Sequence, residues 1–251
     1  MISFMMRVHN EEATLEKSVE SLKQLLCPYE IIMVLHNCTD GSEEIATKLA
    51  AENRLIKLFK YEYQLSRAGY ETLCTDAESI HGLPTYLNWI LSKCTGQWTF
   101  KWDGDFIMTP WLAEYLNRNL NKMDNCRVRI AATNSTSSNA ELYLTDSLVG
   151  YSKYMFWEVP NFSDSTEVVL DSGINIIHDS EIHAMKKYWK NEPWFVTEDS
   201  DEARIVRQRV QMLTKDFGLE PVGLARASNG LCDPYLSRIV NANPSYINFY
   251  K

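Results

Sequence analysis

Ile2-Ser-Phe-Met-Met-Arg-Val8, running straight into His9-Asn-Glu-Glu12, is the stretch on which the fold turns. Apolar side chains at consecutive positions do not suit a strand with one wet face. They mark a strand covered on both sides, as in a parallel sheet. Leu15, Val19, Leu22 and Leu26 then recur at helical spacing, so a helix is expected over Glu11–Leu26, its acidic first turn suited to the positive end of the helix dipole. Cys27-Pro28-Tyr29 ends it. Glu30–Leu35 is a second buried strand, closing on the polar cluster His36-Asn-Cys-Thr-Asp-Gly-Ser42. A second helix with Ile45, Ala46 and Leu49 inward follows, and Leu55–Tyr61 makes a third strand. Strand, helix, strand, helix, strand with short joints implies an α/β fold with a mainly parallel central sheet flanked by helices.

Further along, residues 62–83 are polar and irregular, a long connection of the kind that often carries function. A helix is expected around Thr85–Lys93, then a short aromatic strand, Gln97–Trp102, running into Asp103-Gly104-Asp105. Pro110 opens a helix to about Lys122. Arg127–Thr133, Leu142–Tyr151 and Val168–His178 read as strands, and Asp199–Thr214 as a charged amphipathic helix. Neither a repeat nor a Gly/Ser/Pro linker interrupts the chain, so one domain over 1–251 is expected.

The composition of these 251 residues (45% hydrophobic, 23% charged) excludes wholesale disorder. A net charge of −8 argues against a nucleic-acid-coating protein, which needs a basic face. The opening apolar run is too short for a signal peptide or a membrane span, and no later run is long enough, so only peripheral membrane association is compatible. Six scattered cysteines without zinc spacing suit reduced thiols, and a cytoplasmic location is expected. Seven Trp, thirteen Tyr and nine Phe fit a large core, and equally flat platforms for sugar or base rings.

Asp103 and Asp105 supply the strongest local chemistry. Ligands of open α/β sheets bind beyond the carboxyl ends of strands. Two carboxylates across one small residue, Gly104, suit a Mg²⁺ or Mn²⁺ ion that takes oxygen ligands and keeps positions for phosphate and water. The plain alternative is a turn in which Asp and Gly serve only geometry. The polar ends Arg7–Glu11 and His36–Ser42 form one crevice if their strands are neighbours. There His9 and His36 suit stacking on or hydrogen bonding to a nucleobase, the plain alternative being polar surface, while Asp40 caps the following helix. Glu198-Asp199, beside Trp194 and Phe195, suits general-base work on a hydroxyl or a simple cap, with Arg204 and Arg207 following.

Taken together these segments resemble the family-2 inverting glycosyltransferases of the GT-A fold. Ile2–Glu12 is similar to that family's apolar strand followed by P-V-Y-N-E-E, and Glu30–Ser42 to its E-I-I-V-V-D-D-G-S-T-D-G-S. Thr95-Gly-Gln-Trp-Thr-Phe-Lys-Trp-Asp-Gly-Asp105 resembles T-G-E-Y-I-x-F-L-D-A-D, and Glu198-Asp199 the later E-D pair. The resemblance implies a nucleotide-sugar-binding half over 1–105 and an acceptor-binding, catalytic-base half over 106–251. It implies a divalent cation, Mn²⁺ or Mg²⁺, on Asp105, with Asp103 near the ribose or a metal-bound water. Arg7, His9, Glu11, His36 and Gly104 would line the donor; in the connection 62–83, longer than the family's, Arg67 is read either as sitting over the diphosphate on a mobile lid or as part of a surface loop. Asp199, beside Glu198, would deprotonate a glycan, lipid-linked or protein acceptor, with Trp157 or Trp194 stacking on it.

The departures are specific. His36 stands where the family has a base-reading Asp, Arg7 replaces a Pro, and His9 replaces the ring-stacking Tyr. No Q-x-x-R-W segment follows Asp199, which favours transfer of one sugar over processive synthesis. His178 and His183, five apart, match no metal motif of the family. A catalytically inactive nucleotide- or sugar-binding module is an alternative reading. A metal-dependent D-x-D phosphatase is another, weakened because no Thr follows at the required place.

Overall fold

The computed structural model describes residues 1–66, 72, 74–131, 138–154, 157–164, 166–170, 173–178 and 200–217. The chain forms two compact units, one of Met1–Glu62, Trp89–Gly150 and Asn161–Lys186, the other of Tyr63–Asn88, Tyr151–Pro160 and Lys187–Lys251.

The first unit is built on β1 (Ile2–Val8), β2 (Tyr29–His36), β3 (Ile56–Tyr61), β4 (Trp98–Asp103), β5 (Phe106–Met108), β6 (Arg127–Ala131), β7 (Ser138–Leu144), β10 (Glu167–Val169) and β11 (Ile176–His178). Seven of these make one sheet in the order β10-β6-β7-β4-β1-β2-β3. β4, β1, β2 and β3 run parallel, and β7 turns antiparallel against β4 and β6. The chain passes from β1 outward through β2 to β3, then returns to the other side of β1 as β4. That reversal makes the gap between β1 and β4 a topological switch point, where a crevice opens beyond the carboxyl ends.

Helices α1 (Leu15–Ser21) and α2 (Ser42–Glu52) make the crossovers. The inward face of α1 carries Leu15, Ser18, Val19 and Ser21. Its two serines are buried because each has a partner: Ser18 Oγ accepts from the Trp102 indole N–H at 2.9 Å, and Ser21 Oγ from the Met108 backbone N–H at 2.9 Å. The helix is shorter than the periodicity implies, continuing only as a 3₁₀ turn over Leu22–Gln24. Its expected first turn is diverted, since the backbone N–H groups of Glu11 and Glu12 donate to Ser42 and Asp40.

Phe4 stacks on Phe100 at 5.3 Å between ring centroids, and Trp102 meets Phe4, Phe100 and Phe106 edge-on. Trp98, Trp102, Tyr86, Tyr143, Phe4 and Phe100 are among the largest fully buried side chains. Much of the aromatic surplus among the described residues is therefore core, each ring contributing roughly 1.5–3 kcal/mol of burial.

At the amino ends of the strands lies a closed polar cluster. Glu30 Oε1 accepts from Ser3 Oγ at 2.6 Å, the Thr95 backbone N–H at 2.7 Å and Thr95 Oγ1 at 2.8 Å, while Oε2 accepts from Lys57 Nζ at 2.6 Å. Burial pushes this carboxyl up, but those donors outweigh it and hold it at about 2. Gly96 is required beside it, because a Cβ there would stand 2.7 Å from the Ser3 nitrogen.

Helix α3 (Leu83–Leu91) follows the polar connection, and α4 (Pro110–Asn119) begins as expected, with Thr109 Oγ1 accepting from the Leu112 N–H at 3.2 Å ahead of Pro110. The stretch Leu142–Tyr151 is not one strand. A 3₁₀ turn at Thr145–Ser147 divides β7 from β8 (Leu148–Tyr154), fixed by Thr145 Oγ1 donating to the Gly96 carbonyl at 2.8 Å. β9 (Trp157–Phe162) pairs with β8. Val168–His178 also divides, because β10 pairs parallel with β6 and β11 antiparallel with β5.

In the second unit, α5 (Asp201–Phe217) is capped by Ser200, whose Oγ accepts from the Ala203 N–H at 3.1 Å. Arg209 on this helix donates to the Cys74 carbonyl and to Asp76, both at 2.8 Å. Among the described residues no helix is long and apolar enough to cross a membrane.

Candidate functional site

The carboxyl ends of β1, β2 and β4 bring together most of the donor-site residues expected from sequence. β1 runs out into His9-Asn10 and β2 through His36 into Asn37, and both asparagines turn the chain through left-handed backbone, φ 56° and 46°. The two loops are then pinned to each other. Asn10 Oδ1 accepts from the Thr39 N–H at 2.7 Å, and Asp40 accepts from the N–H groups of Glu12 at 3.1 Å and Ser42 at 3.0 Å. Glu12 Oε2 accepts from the Gly41 N–H at 2.9 Å. Asp40 thus braces the start of α2, as read from sequence, and also ties down the neighbouring loop.

His9 and His36 occupy equivalent positions and stack nearly parallel, 4.9 Å between centroids and 8° between planes. His9 Nδ1 lies 2.9 Å from the His36 carbonyl, which can only accept, so that nitrogen carries the proton. Burial, followed by the proximity of His9 and of the Arg7 guanidinium, pushes the His36 imidazole well below its ordinary value. His36 is therefore neutral at pH 7.

Asp103 closes β4 directly opposite Arg7 of β1 in the parallel register. Both Nε and Nη2 of Arg7 reach Asp103 Oδ1, at 2.7 and 2.5 Å. The Arg7 carbonyl in turn accepts from the Gly104 N–H at 3.0 Å. Glu11, 3% exposed, lies under this turn, its Oε2 accepting from Thr14 Oγ1 at 2.9 Å. A Cβ on Gly104 would stand 2.7 Å from Glu11 Cγ, so only glycine lets the turn settle there. Asp105 follows, 1% exposed.

The donor set is carboxylate oxygen, which suits a hard divalent cation and not a soft one. Among the described residues no group of three or more His, Cys, Asp and Glu converges on one point. Mg²⁺ or Mn²⁺ is commonly held by one or two carboxylates, with phosphate and water completing its shell, and Asp105 with Asp103 fits that pattern. The cross-strand pairing of Arg7 with Asp103 was not read from sequence. An Arg one residue before the end of the first strand and an Asp at the end of the fourth were its available signal.

Arg67, Trp194, Glu198 and Asp199 lie outside the described residues, as does His183, and so do the side chains of Trp157 and His178. Arg204 pairs with Asp201 at 2.8 Å on the surface of α5.

Residues 3–69 match the model of the family described as Glycosyl transferase family 2. Among solved structures the chain is similar to S. aureus TarS 1–349, at 13% identity and a TM-score of 0.51, covering 99% of this chain and 80% of that one. It is similar also to the mannosyltransferase PcManGT from Pyrobaculum calidifontis, solved in complex with GDP-Man and Mn²⁺, at 11% identity and a TM-score of 0.51, covering 99% and 85%. No curated protein matches. At such identities the likeness is one of fold, and the α/β fold of the GT-A type expected from sequence is the one found.

Proposed function

We propose that this chain, with its GT-A fold and its match to glycosyl transferase family 2 over residues 3–69, transfers one sugar from a nucleotide-sugar donor to an acceptor hydroxyl with inversion. The observation that carries the reading is the convergence of Arg7, His9, His36, Asp103 and Asp105 at the switch point between β1 and β4, where ligands of such sheets bind. The base packs near the stacked imidazoles and the diphosphate lies toward Asp105, with Glu11 and Gly104 shaping the turn beneath.

Asp199, assisted by Glu198, takes the proton of the acceptor hydroxyl. The acceptor oxygen then bonds to the anomeric carbon as the bond from that carbon to the diphosphate breaks, its electron pair leaving with the diphosphate. A divalent cation, Mn²⁺ or Mg²⁺, on Asp105 supplies charge stabilisation for that leaving group when bound. Trp157 and Trp194 flank a glycan, lipid-linked or protein acceptor.

A thermal-shift panel of UDP-, GDP-, CMP- and dTDP-sugars, each with and without Mn²⁺, tests the reading. At least one donor raises Tm, more so with metal; no shift from any of them overturns it. With that donor in hand, Asp199→Asn keeps the shift and loses nucleoside-diphosphate release. Unchanged release moves the base to another carboxylate.

A further inference from the structure

The polar connection is fastened between Cys74 and Asp76 from two sides, and every residue involved belongs to the second unit. Thr72 and Cys74 carry helical backbone and the chain bends at Thr75, so the Cys74 and Thr75 carbonyls stand at the carboxyl end of that turn, where backbone dipoles favour cations. Each of two other elements supplies one. Arg209 of α5 donates to the Cys74 carbonyl and to the Asp76 carboxylate, both at 2.8 Å. Lys153 of β8 donates to the Thr75 carbonyl. The same strand is tied to α3 by a reciprocal pair. Asn88 Nδ2 donates to the Tyr151 carbonyl at 2.9 Å, and the Tyr151 N–H donates to Asn88 Oδ1 at 2.7 Å.

We propose that Lys153 and Arg209 form a pH-sensitive latch on the connection, in which loss of the Lys153 proton tightens the hold on residues 74–76. This goes beyond the glycosyl-transfer reading and does not rest on it. The geometry makes Lys153 the member that titrates. A guanidinium keeps its charge at any pH the protein meets, and Asp76 is engaged by Arg209. Lys153 is half-buried and its partner is a neutral carbonyl, to which an uncharged amine still has an N–H to donate. Losing the proton therefore keeps the hydrogen bond and removes the cost of a desolvated charge near Arg209. The titratable and charged groups facing Lys153 are Cys74 and Asp76 of the connection and Arg209 of α5. Burial pulls the ammonium down to about 8; Cys74 and Asp76 offset this only in part, and Arg209 adds to the fall. Opening the latch returns the side chain to water, where its ordinary value is 10.5. The closed state thus holds the proton less tightly than the open one, so closure gains as pH rises from about 8 to 10.5.

The test follows amide hydrogen exchange of peptides covering residues 72–76 in the full-length protein, divided by the intrinsic exchange rate at each pH. In wild type, opening falls about tenfold between pH 7 and pH 9, as the closed and open values require, while β1 and β2 peptides keep their protection. In Lys153→Met, which keeps the apolar stem, that slope is gone. A flat or rising opening in wild type overturns the proposal. So does an undiminished slope in Lys153→Met, or an equal change in β1, which would make the effect global. A second measurement needs no variant: the rate at which acetic anhydride acetylates Lys153, read by peptide mass, rises with pH with a midpoint near 8, and a midpoint near 10.5 overturns the proposal. Arg209→Gln moves that midpoint upward, because the opposing charge is gone and Asp76 is left to Lys153. An unmoved or lowered midpoint overturns the part given to Arg209. None of these measurements uses a nucleotide or a sugar, so their failure is separate from failure of the donor panel.

Discussion

The two ends of the central sheet use the same kinds of residue to opposite effect. At the amino ends, Glu30 is enclosed by Ser3, Thr95 and Lys57, and four hydrogen bonds occupy its two oxygens. Its charge is answered inside the protein, and the cluster locks β1, β2, β3 and the turn before β4 together. At the carboxyl ends, Asp103 is met by Arg7 near the surface, Asp105 is buried beside it, and two imidazoles stack face to face. The first arrangement stabilises the fold. The second holds charge and flat rings at the switch point between β1 and β4, where sheets of this kind bind their ligands. A buried carboxylate is thus not a functional sign by itself; what surrounds it and which end of the strand carries it decide.

The contrast is broken most sharply by removing one carboxylate from each end. Asp105→Asn is expected to lower nucleoside-diphosphate release about 10²–10³-fold, about 3–4 kcal/mol of transition-state stabilisation, with an unchanged or raised urea midpoint. A large loss of stability would place Asp105 with Glu30. Glu30→Gln is expected to do the reverse, lowering unfolding free energy by about 2 kcal/mol, a figure reduced because Lys57 is half exposed, while donor-induced thermal shifts persist. The sign in pH follows from a folded value held below the unfolded one. The Glu30 contribution is complete above 4.5 and is lost as pH falls toward about 2, so acid unfolding of Glu30→Gln flattens across that window. Gly104→Ala comes next, at about 1–2 kcal/mol, because its Cβ would press on the buried Glu11 side chain. Its signature is weaker donor binding out of proportion to the stability lost.

His36 comes last, because its effect vanishes at neutral pH. Its proton affinity is lowered in the fold by burial, His9 and Arg7, so stability is full above about 6.5 and declines below it, by at most about 1.4 kcal/mol per pH unit for one proton. His36→Gln removes that slope between pH 6.5 and 5 in urea titrations. An unaltered slope would mean that His36 is charged in the folded protein, and the stacked pair would then be no neutral platform.

Much of this was legible in the chain itself. β1, β2, β3 and β4 were readable because each is an apolar run bounded by polar turns, and Pro110 behind Thr109 marks the start of α4. Legibility failed where a tertiary partner overrode local pattern. Helix α1 starts late because Glu11 and Glu12 answer to Ser42 and Asp40 on the neighbouring loop. Val168–His178 looks continuous but serves two sheets. At the site, residue types were readable and pairings were not. Arg7 meets Asp103 only because β1 and β4 align in register across 96 residues, a fact no local spacing contains. The donors around Glu30 were invisible for the same reason.

That register has a consequence for how the crevice comes into being. The imidazole stack closes a chain separation of 27 residues, the Arg7–Asp103 pair one of 96. Loop-closure entropy makes the second dearer by about 1 kcal/mol before any contact is made. The histidine platform therefore belongs to an early, locally connected β-α-β nucleus, and the charged half of the crevice to a later docking of β4. In a refolding experiment, destabilising substitutions around β2 should slow folding, whereas loss of the Arg7–Asp103 pair should chiefly hasten unfolding.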